Sequence, residues 1–561
     1  MNRLLLLLAA LAVCFKLDAQ TGRVDLKKLE PHVQKVVQKA YQASVAIALY
    51  NATTGASGAS IFSGVVVDTA GYVLSVAHAV SPGTLYQITF PDGTKKLARG
   101  LGRIASNDAA MLKITEKGTW PYASMGWSSS LQKNMPCISI SYPGTVGAKT
   151  PTVRLGYVAE LKAPNGYLRS TCLMEPGDSG GPLFDMEGRV IGLHSRVDLS
   201  LDANFEVPVD TYRKYWNALN KIENYAALPA ENDFEADPKP GQLNTLVGIG
   251  ELNIMLNKSL KDRLIKTIFN IKSPYKNKKI QASILGTLIK TDGIIKDKKL
   301  KDKSLLISKS SMVGIPAMVE LGPAQLVPAK VISRDVKNDL VLLQIDRKLN
   351  GGIDLKTVSD VEIKFNDLGK LLVSPQLNGN HCISTIGNTL IDIAKAPGTA
   401  SIGLTAKTVA GKVVVAQVNP FGTASSVSVY QDDELLGING KPILTVEDLD
   451  NEIDSYTLKD TAILQLSRRG VAFEKRVPVK ITPESEMHIA LKFTDGRSGR
   501  YSGFSKVMIH DGRLKPIACG GPLYGVDGKF YGINIARFSR TSSLAIPAVQ
   551  LRKFIIESIK N

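Results

Sequence analysis

Between residues 33 and 220 the apolar positions come in short runs, each closed by Gly, Pro or Asp. Residues 60–67, the polar stretch 68–71 and residues 72–75 read as strand, turn and strand. The pattern repeats at residues 87–90 before Pro91-Asp92-Gly93, and at residues 136–141 before Pro143-Gly144. Many short strands at even spacing predict a mainly β chain of barrels or sandwiches. Residues 210–225, with Tyr212, Tyr215 and Trp216 among polar neighbours, predict a closing helix. Residues 226–241 then carry Pro229, Pro238 and Pro240 among acidic residues, the composition of a linker, here bounded at 221–245.

Beyond the linker the same sequence words return in altered form. Gly64-Val-Val-Val-Asp-Thr-Ala-Gly71 is matched by Gly286-Thr-Leu-Ile-Lys-Thr-Asp-Gly293, and Asn107-Asp108 by Asn338-Asp339, each before an apolar strand. Cys137-Ile-Ser139 is matched by Cys382-Ile-Ser384, and Ser179-Gly-Gly-Pro-Leu183 by Cys519-Gly-Gly-Pro-Leu523. The last match lies much farther along the chain than the others require. A second copy of the first domain, residues 246–390 with 484–557, is therefore expected to hold an inserted domain at 396–482. That insert reads as strand, turn, an Asn-Gly hairpin at Asn439-Gly440, a helix over 446–456 and a strand over 461–467, a compact α+β unit.

Composition adds export. Arg3 precedes an apolar run, residues 4–15, too short to span a bilayer, and a polar break with Ala19 follows. This is the layout of a signal peptide over residues 1–20, so the mature protein is expected in the periplasm or outside the cell, without a membrane span. Four cysteines then remain, too few for a disulfide scaffold; Cys137 and Cys172 either pair or stay as buried thiols. The net charge of +18 is concentrated: residues 258–303 hold fourteen Lys or Arg against four Asp. Without interleaved aromatic residues that stretch reads as a solvated face and not as a nucleic-acid site, an anionic-surface binder being the weaker alternative.

The candidate chemistry lies in the first domain. In Gly177-Asp-Ser-Gly-Gly-Pro-Leu183 the flanking glycines allow a turn that aims the backbone N–H groups of Gly177 and Ser179 at one point, an oxyanion hole. A serine hydroxyl needs a base, and His78 in Ser75-Val-Ala-His-Ala-Val80 is the candidate among six histidines. Asp108, at the mouth of an apolar strand, can hold the imidazole tautomer, completing a triad of His78, Asp108 and Ser179. No metal cluster, phosphate loop or dinucleotide motif is present in the sequence, so no cofactor is expected.

These three blocks resemble the HtrA/Deg branch of trypsin-fold serine peptidases. The resemblance implies a trypsin-like double β-barrel with the triad in its cleft, Leu173 near the primary specificity pocket, and Leu193, His194 and Ser195 on the strand that pairs with substrate. It also implies cleavage of unfolded or mislocalised proteins, and Asp178 departs from the more usual Asn of that family. In the second copy position 300, Leu300, is matched to His78; Asp339 is kept and Cys519 replaces Ser179, which describes a degenerate trypsin-like domain. His510 is the one histidine near Cys519 in sequence. The insert looks like a PDZ domain, with Ile402, Gly403 and Leu404 at the carboxylate-binding loop, its groove either open to C-terminal peptides or filled from within the chain. HtrA relatives are commonly trimers. The rival reading is a peptide-binding or chaperone-like envelope protein with little proteolysis.

Overall fold

The computed structural model describes residues 26–147, 150–238, 256–274, 281–290, 302–323, 325–358, 362–394, 400–453, 460–481 and 492–560. The expected signal peptide, Leu300 and much of the Lys-rich stretch lie outside the described residues. The chain divides into two compact units, residues 1–393 with 489–561, and residues 394–488. No helix among the described residues is long and apolar enough to cross a membrane.

The larger unit holds two double-barrel domains. In the first, Ser44–Asn51, Ala56–Val66, Tyr72–Val76, Leu85–Thr89, Lys95–Ile104 and Ala109–Ile114 form one antiparallel sheet that closes where Lys95–Ile104 meets Ala109–Ile114. A second closed barrel is built from Pro136–Ser141, Thr152–Glu160, Leu168–Ser170, Pro182–Phe184, Val190–Val197 and Asn204–Pro208. Closure leaves no free sheet edge around most of each ring, and the inward side chains pack into buried clusters. The fold is mainly β, as the strand pattern predicts, with the trypsin-like pair of barrels that the family resemblance implies.

The second domain repeats the plan. Ile268–Pro274, Gln281–Lys290, Ser304–Lys309, Ala317–Gly322, Gln325–Asp335 and Leu340–Ile345 close through the pairing of the first two strands. Its other half is a seven-stranded sheet of Leu371–Pro375, His381–Thr385, Ile391–Ile393, Phe504–His510, Pro522–Gly525, Phe530–Arg537 and Ser543–Pro547, drawn into a ring by a bridge between Ile386 and His510. Here one sequence match is corrected. Ile138 pairs with Phe184 in the first domain, and Val373 pairs with Tyr524 in the second. The counterpart of Pro136–Ser141 is thus Leu371–Pro375, and the Cys-Ile-Ser word at Cys382 belongs to the next strand.

A helix the strand pattern did not announce, Leu26–Ala40, joins the two domains. Its buried residues Leu26, Leu29, Val33, Val36, Val37 and Ala40 recur at helical spacing, one apolar stripe in a common core. On one side Lys39 donates to Glu187 O and His32 meets Met186 O; on the other Gln34 donates to Asn366 O and Glu30 accepts the Leu371 amide. The expected linker is also more ordered than its composition suggests. Asn224–Tyr225 adds a parallel strand to Lys95–Ile104, Trp127 donates to Glu235 O, and Arg189 reaches Asp237, so residues up to 237 belong to the first domain.

The smaller unit is an α+β fold. Leu404–Val409, Lys412–Val418, Glu434–Ile438, Thr461–Arg468 and Val471–Pro478 form its sheet, and Val446–Ile453 is its longer helix. Ile402, Val413, Val415, Leu435, Leu449, Leu464 and Val477 are in its separate core.

Candidate active site

The site is built where the two barrels of the first domain meet. Asp108 ends the 3₁₀ turn Ala105–Asn107 and adopts a left-handed conformation (φ 56°), which Asp tolerates better than most side chains. That twist turns its backbone and carboxylate toward the segment after Tyr72–Val76. The amide of Ala77 donates to Asp108 O (3.1 Å) and the amide of His78 to Asp108 Oδ1 (2.9 Å). His78 Nδ1 then lies 2.9 Å from Asp108 Oδ2, so the carboxylate fixes both backbone and ring. Ser195 Oγ donates to the same Oδ2 at 2.6 Å. Burial raises the Asp108 carboxyl, but the bonds from His78 and Ser195 outweigh it and hold the group below the ordinary carboxylate range. An ionised Asp108 is what keeps the Nδ1 proton on His78 and leaves Nε2 free to act as a base.

Ser179 is carried on a loop locked against these elements. Gly180 donates to His194 O (2.7 Å), and Ser63 donates from its amide to Ser179 O (2.8 Å). A side chain at Gly180 would run into Ser63 O and Ser75 Oγ, which sets the loop against the strand leading to His78. Gly177 has φ +103°, and a Cβ there would strike Gly144 N and Tyr142 O, so only glycine fits. Among the described residues the amides of Gly177 and Ser179 donate to no protein acceptor, while the intervening Asp178 amide bonds Glu175 O. Two unspent N–H groups, one of them the serine's own, are the kind of donors an oxyanion requires. Ser179 Oγ and His78 share no hydrogen bond, and the His78 side chain is 51% exposed. Such bonds commonly tighten only when substrate binds.

Behind the loop is a buried ion pair that sequence reasoning passed over. Asp178 has no solvent exposure; Arg154 Nη1 lies 3.0 Å from Oδ2, Ser141 Oγ donates to Oδ1 (2.8 Å) and the Glu175 amide to Oδ2 (2.8 Å). Burial pushes the Asp178 carboxyl up to about 6, against the pull of Arg154. The departure from Asn therefore has a partner, and it fixes residues 175–178 from beneath. Ser195 was expected on the substrate strand; its bond to Asp108 spans the two barrels, and no local motif announces such a contact.

Two other expectations are corrected. Leu193 and His194 are not open to substrate: Leu193 pairs with both Pro182 and Val207, and the His194 backbone is spent on Gly180 and Gly181. The His194 ring is fully buried, 2.6 Å from Ser139 Oγ and 3.5 Å from Glu206, and burial lowers it to about 3. Only beyond Ser195 does the strand lack a partner on one side. Leu173 is buried and lines a cavity of about 840 Å³ between the two double-barrel domains, with Leu285, Cys382 and Leu514; no triad residue borders it. Cys137 and Cys172 are buried free thiols, their sulfurs 3.9 Å apart.

The second domain preserves the frame and loses the chemistry. Asp339 is left-handed like Asp108 (φ 57°), and the amides of Ser310 and Ser311 donate to its O and Oδ1 as those of Ala77 and His78 do to Asp108. Ser311, not Leu300, stands at the histidine position. The carboxylate is taken by Lys309 Nζ at 2.5 Å and Ser311 Oγ at 2.9 Å. Cys519 is fully buried, burial raises its thiol, and its amide is spent on Pro516 O (3.2 Å). His510 is no activator: its ring nitrogens meet Ser384 Oγ and Asn534 Oδ1, each at 3.0 Å, and burial lowers it to about 3.

A serine on a free-amide loop, backed by a carboxylate-held histidine between two β-barrels, defines a trypsin-like serine peptidase domain. Comparison with known proteins agrees: residues 62–193 match the family described as "Trypsin-like peptidase domain". The chain is similar to proteins named "Probable periplasmic serine endoprotease DegP-like" from three bacteria. The Hahella chejuensis protein is 23% identical over 425 residues, 73% of this chain and 78% of the relative. The Bartonella henselae protein is 28% identical over 162 residues, 27% of this chain and 32% of the relative. The Pseudomonas putida protein is 27% identical over 179 residues, 29% of this chain and 35% of the relative. The first domain is thus a trypsin-like serine peptidase domain similar to those of DegP-like relatives, and the chain matches only about a third of the length of two of these three relatives.

Proposed function

We propose that the whole chain is an exported serine endopeptidase that cleaves unfolded or mislocalised proteins. His78, Asp108 and Ser179 form its triad, and the amides of Gly177 and Ser179 its oxyanion hole. The observation that carries this reading is the hydrogen-bonded chain Ser195–Asp108–His78 beside two unspent amides. Ser179 Oγ attacks the scissile carbonyl while His78 Nε2 takes its proton and passes it to the leaving amine. Water then enters, gives its proton to His78 and hydrolyses the ester, restoring Ser179. The N-terminal apolar segment and the word periplasmic in the relatives' names support export.

The inserted unit is proposed as a PDZ-like peptide-binding module. Among the described residues Leu404–Val409 is the last strand of its sheet, paired only with Lys412–Val418, which leaves one edge for a peptide strand. Gly403 is left-handed (φ +76°) and precedes that edge, the place for a carboxylate-binding loop with Ile402 and Leu404; the Ile402 side chain itself is in the core. Digestion of reduced casein by the purified chain, with and without added C-terminal peptides, tests both parts. Digestion that disappears in Ser179→Ala supports the peptidase. A folded chain that binds peptides and never cuts would favour the chaperone-like reading.

A further inference from the structure

The second domain makes one set of polar contacts with residues 150–155 of the first, through Gly387, Asn388 and Asp511, and another with two loops near Ser179. One of these loops is residues 171–175, which run directly into Gly177. Thr541, fully buried, donates from Oγ1 to Glu175 Oε2 (3.0 Å), while Thr145 Oγ1 donates to the other carboxylate oxygen. Gly144, next to Thr145, donates to Pro176 O (2.7 Å), so Glu175 ties Thr541 to both sides of the loop that shapes Gly177. Arg513 donates to Thr171 O (3.1 Å) at the start of the same segment.

The other loop, residues 199–202, follows the strand that ends after Ser195. Arg540, also fully buried, donates to Leu199 O (3.3 Å) and Ser200 O (2.5 Å), and Arg513 pairs with Asp202 at 2.9 Å. Arg540 and Thr541 are themselves held in a tight turn, where Phe538 and Ser539 donate to Ser542 O and Arg537 donates to Arg540 O. The loop at 175–178 is fixed from beneath by Asp178 and Arg154 of its own domain, and the groups that reach Glu175 and residues 199–202 from the other side come from a domain whose own site is closed.

We infer that the degenerate domain is a built-in positioning element for the first site: through Thr541 on Glu175 and Arg540 on residues 199–200 it holds the nucleophile loop and the substrate strand in their working arrangement. This rests on the peptidase reading proposed above. Thr541 and Arg540 are positioning residues that touch no substrate; they act through Glu175 and through the end of the strand carrying Ser195.

The test uses the full mature chain and its Thr541→Val, Thr541→Ser, Arg540→Ala and Arg540→Lys variants. Thermal unfolding checks the fold, and fluorophosphonate labelling and peptide hydrolysis read the site. Thr541→Val keeps the side-chain shape and removes only the hydroxyl, so it carries the test if an arginine variant loses its fold. Loss of the buried bond to the Glu175 carboxylate in Thr541→Val, and of the guanidinium bonds to the Leu199 and Ser200 carbonyls in Arg540→Ala, predicts labelling and kcat about tenfold slower. KM should change less than kcat, and Thr541→Ser should restore the rate. Folded Val and Ala variants with wild-type kcat would overturn the inference while leaving the peptidase intact. A wild-type chain that neither labels nor cuts would remove both.

Discussion

The two double-barrel domains hold the same turn for different ends. In each, an Asp in left-handed conformation accepts two amides from the segment beyond a strand, and a Gly-Gly-Pro loop is pressed against that strand. Gly180 faces Ser63 O and Ser75 Oγ; Gly520 faces Leu285 O and Ser308 Oγ in the same relation. These shared features are what the fold requires. The differences are what catalysis requires: Ser311 for His78, Cys519 for Ser179, Ile517 for Gly177, and a buried Lys309 amine on the carboxylate that would hold the ring. Asp108 orients a reactive group half open to water, whereas Asp339 neutralises a buried lysine. On the proposed reading one carboxylate works for chemistry and the other for stability.

Breaking the comparison at the nucleophile has the largest effect. Ser179→Ala should lower kcat about a million-fold, whereas Cys519→Ala should leave it unchanged; hydrolysis of a fluorogenic peptide measures both. At the carboxylates the outcomes should diverge in kind. Asp108→Asn should cost about 10⁴-fold in kcat with little change in folding. Asp339→Asn, which strips a buried lysine of its partner, should cost about 3–5 kcal/mol in urea unfolding. At the loop, Gly177→Ala should reduce kcat about a hundredfold or more by displacing an oxyanion donor, with no counterpart effect for Ile517→Ala.

A smaller, pH-dependent effect tests the pair beneath the first loop. Asp178 is raised from 3.8 to about 6 by burial, with Arg154 pulling it down. A carboxyl with a raised folded value supports folding most in acid and loses that support as pH rises through the folded value. Arg154→Met removes the pull and raises Asp178 further. Its destabilisation should therefore grow by about 2–3 kcal/mol between about pH 4 and about pH 8, read from urea midpoints. Equal loss at both pH values would show that Arg154 acts by packing alone.

The barrels and the seven-residue loop around Ser179 were legible because strands bounded by turn residues and a glycine-framed serine are local patterns. The contacts that complete the site are not local. Ser195 reaches Asp108 across 87 residues of chain and Arg154 reaches Asp178 across 24, so neither leaves a spacing to read. The family resemblance placed His194 on the substrate strand, yet the pairing of that strand on both sides turns it into a core residue. The second copy misled at two points for the same reason. A three-residue word placed Cys382 in the wrong strand, and a fixed offset placed Leu300 where the hydrogen bonds place Ser311. Lys309, one lysine among many, gave no sign that it would be buried on Asp339.

The central claim is that one of two like frames is catalytic. Locating the covalent adduct by peptide mass mapping, after the intact chain reacts with a fluorophosphonate, tests it most directly. The account predicts one adduct per chain, on the peptide containing Ser179, and none in Ser179→Ala. An adduct in the second domain, or hydrolysis that survives Ser179→Ala, would contradict it.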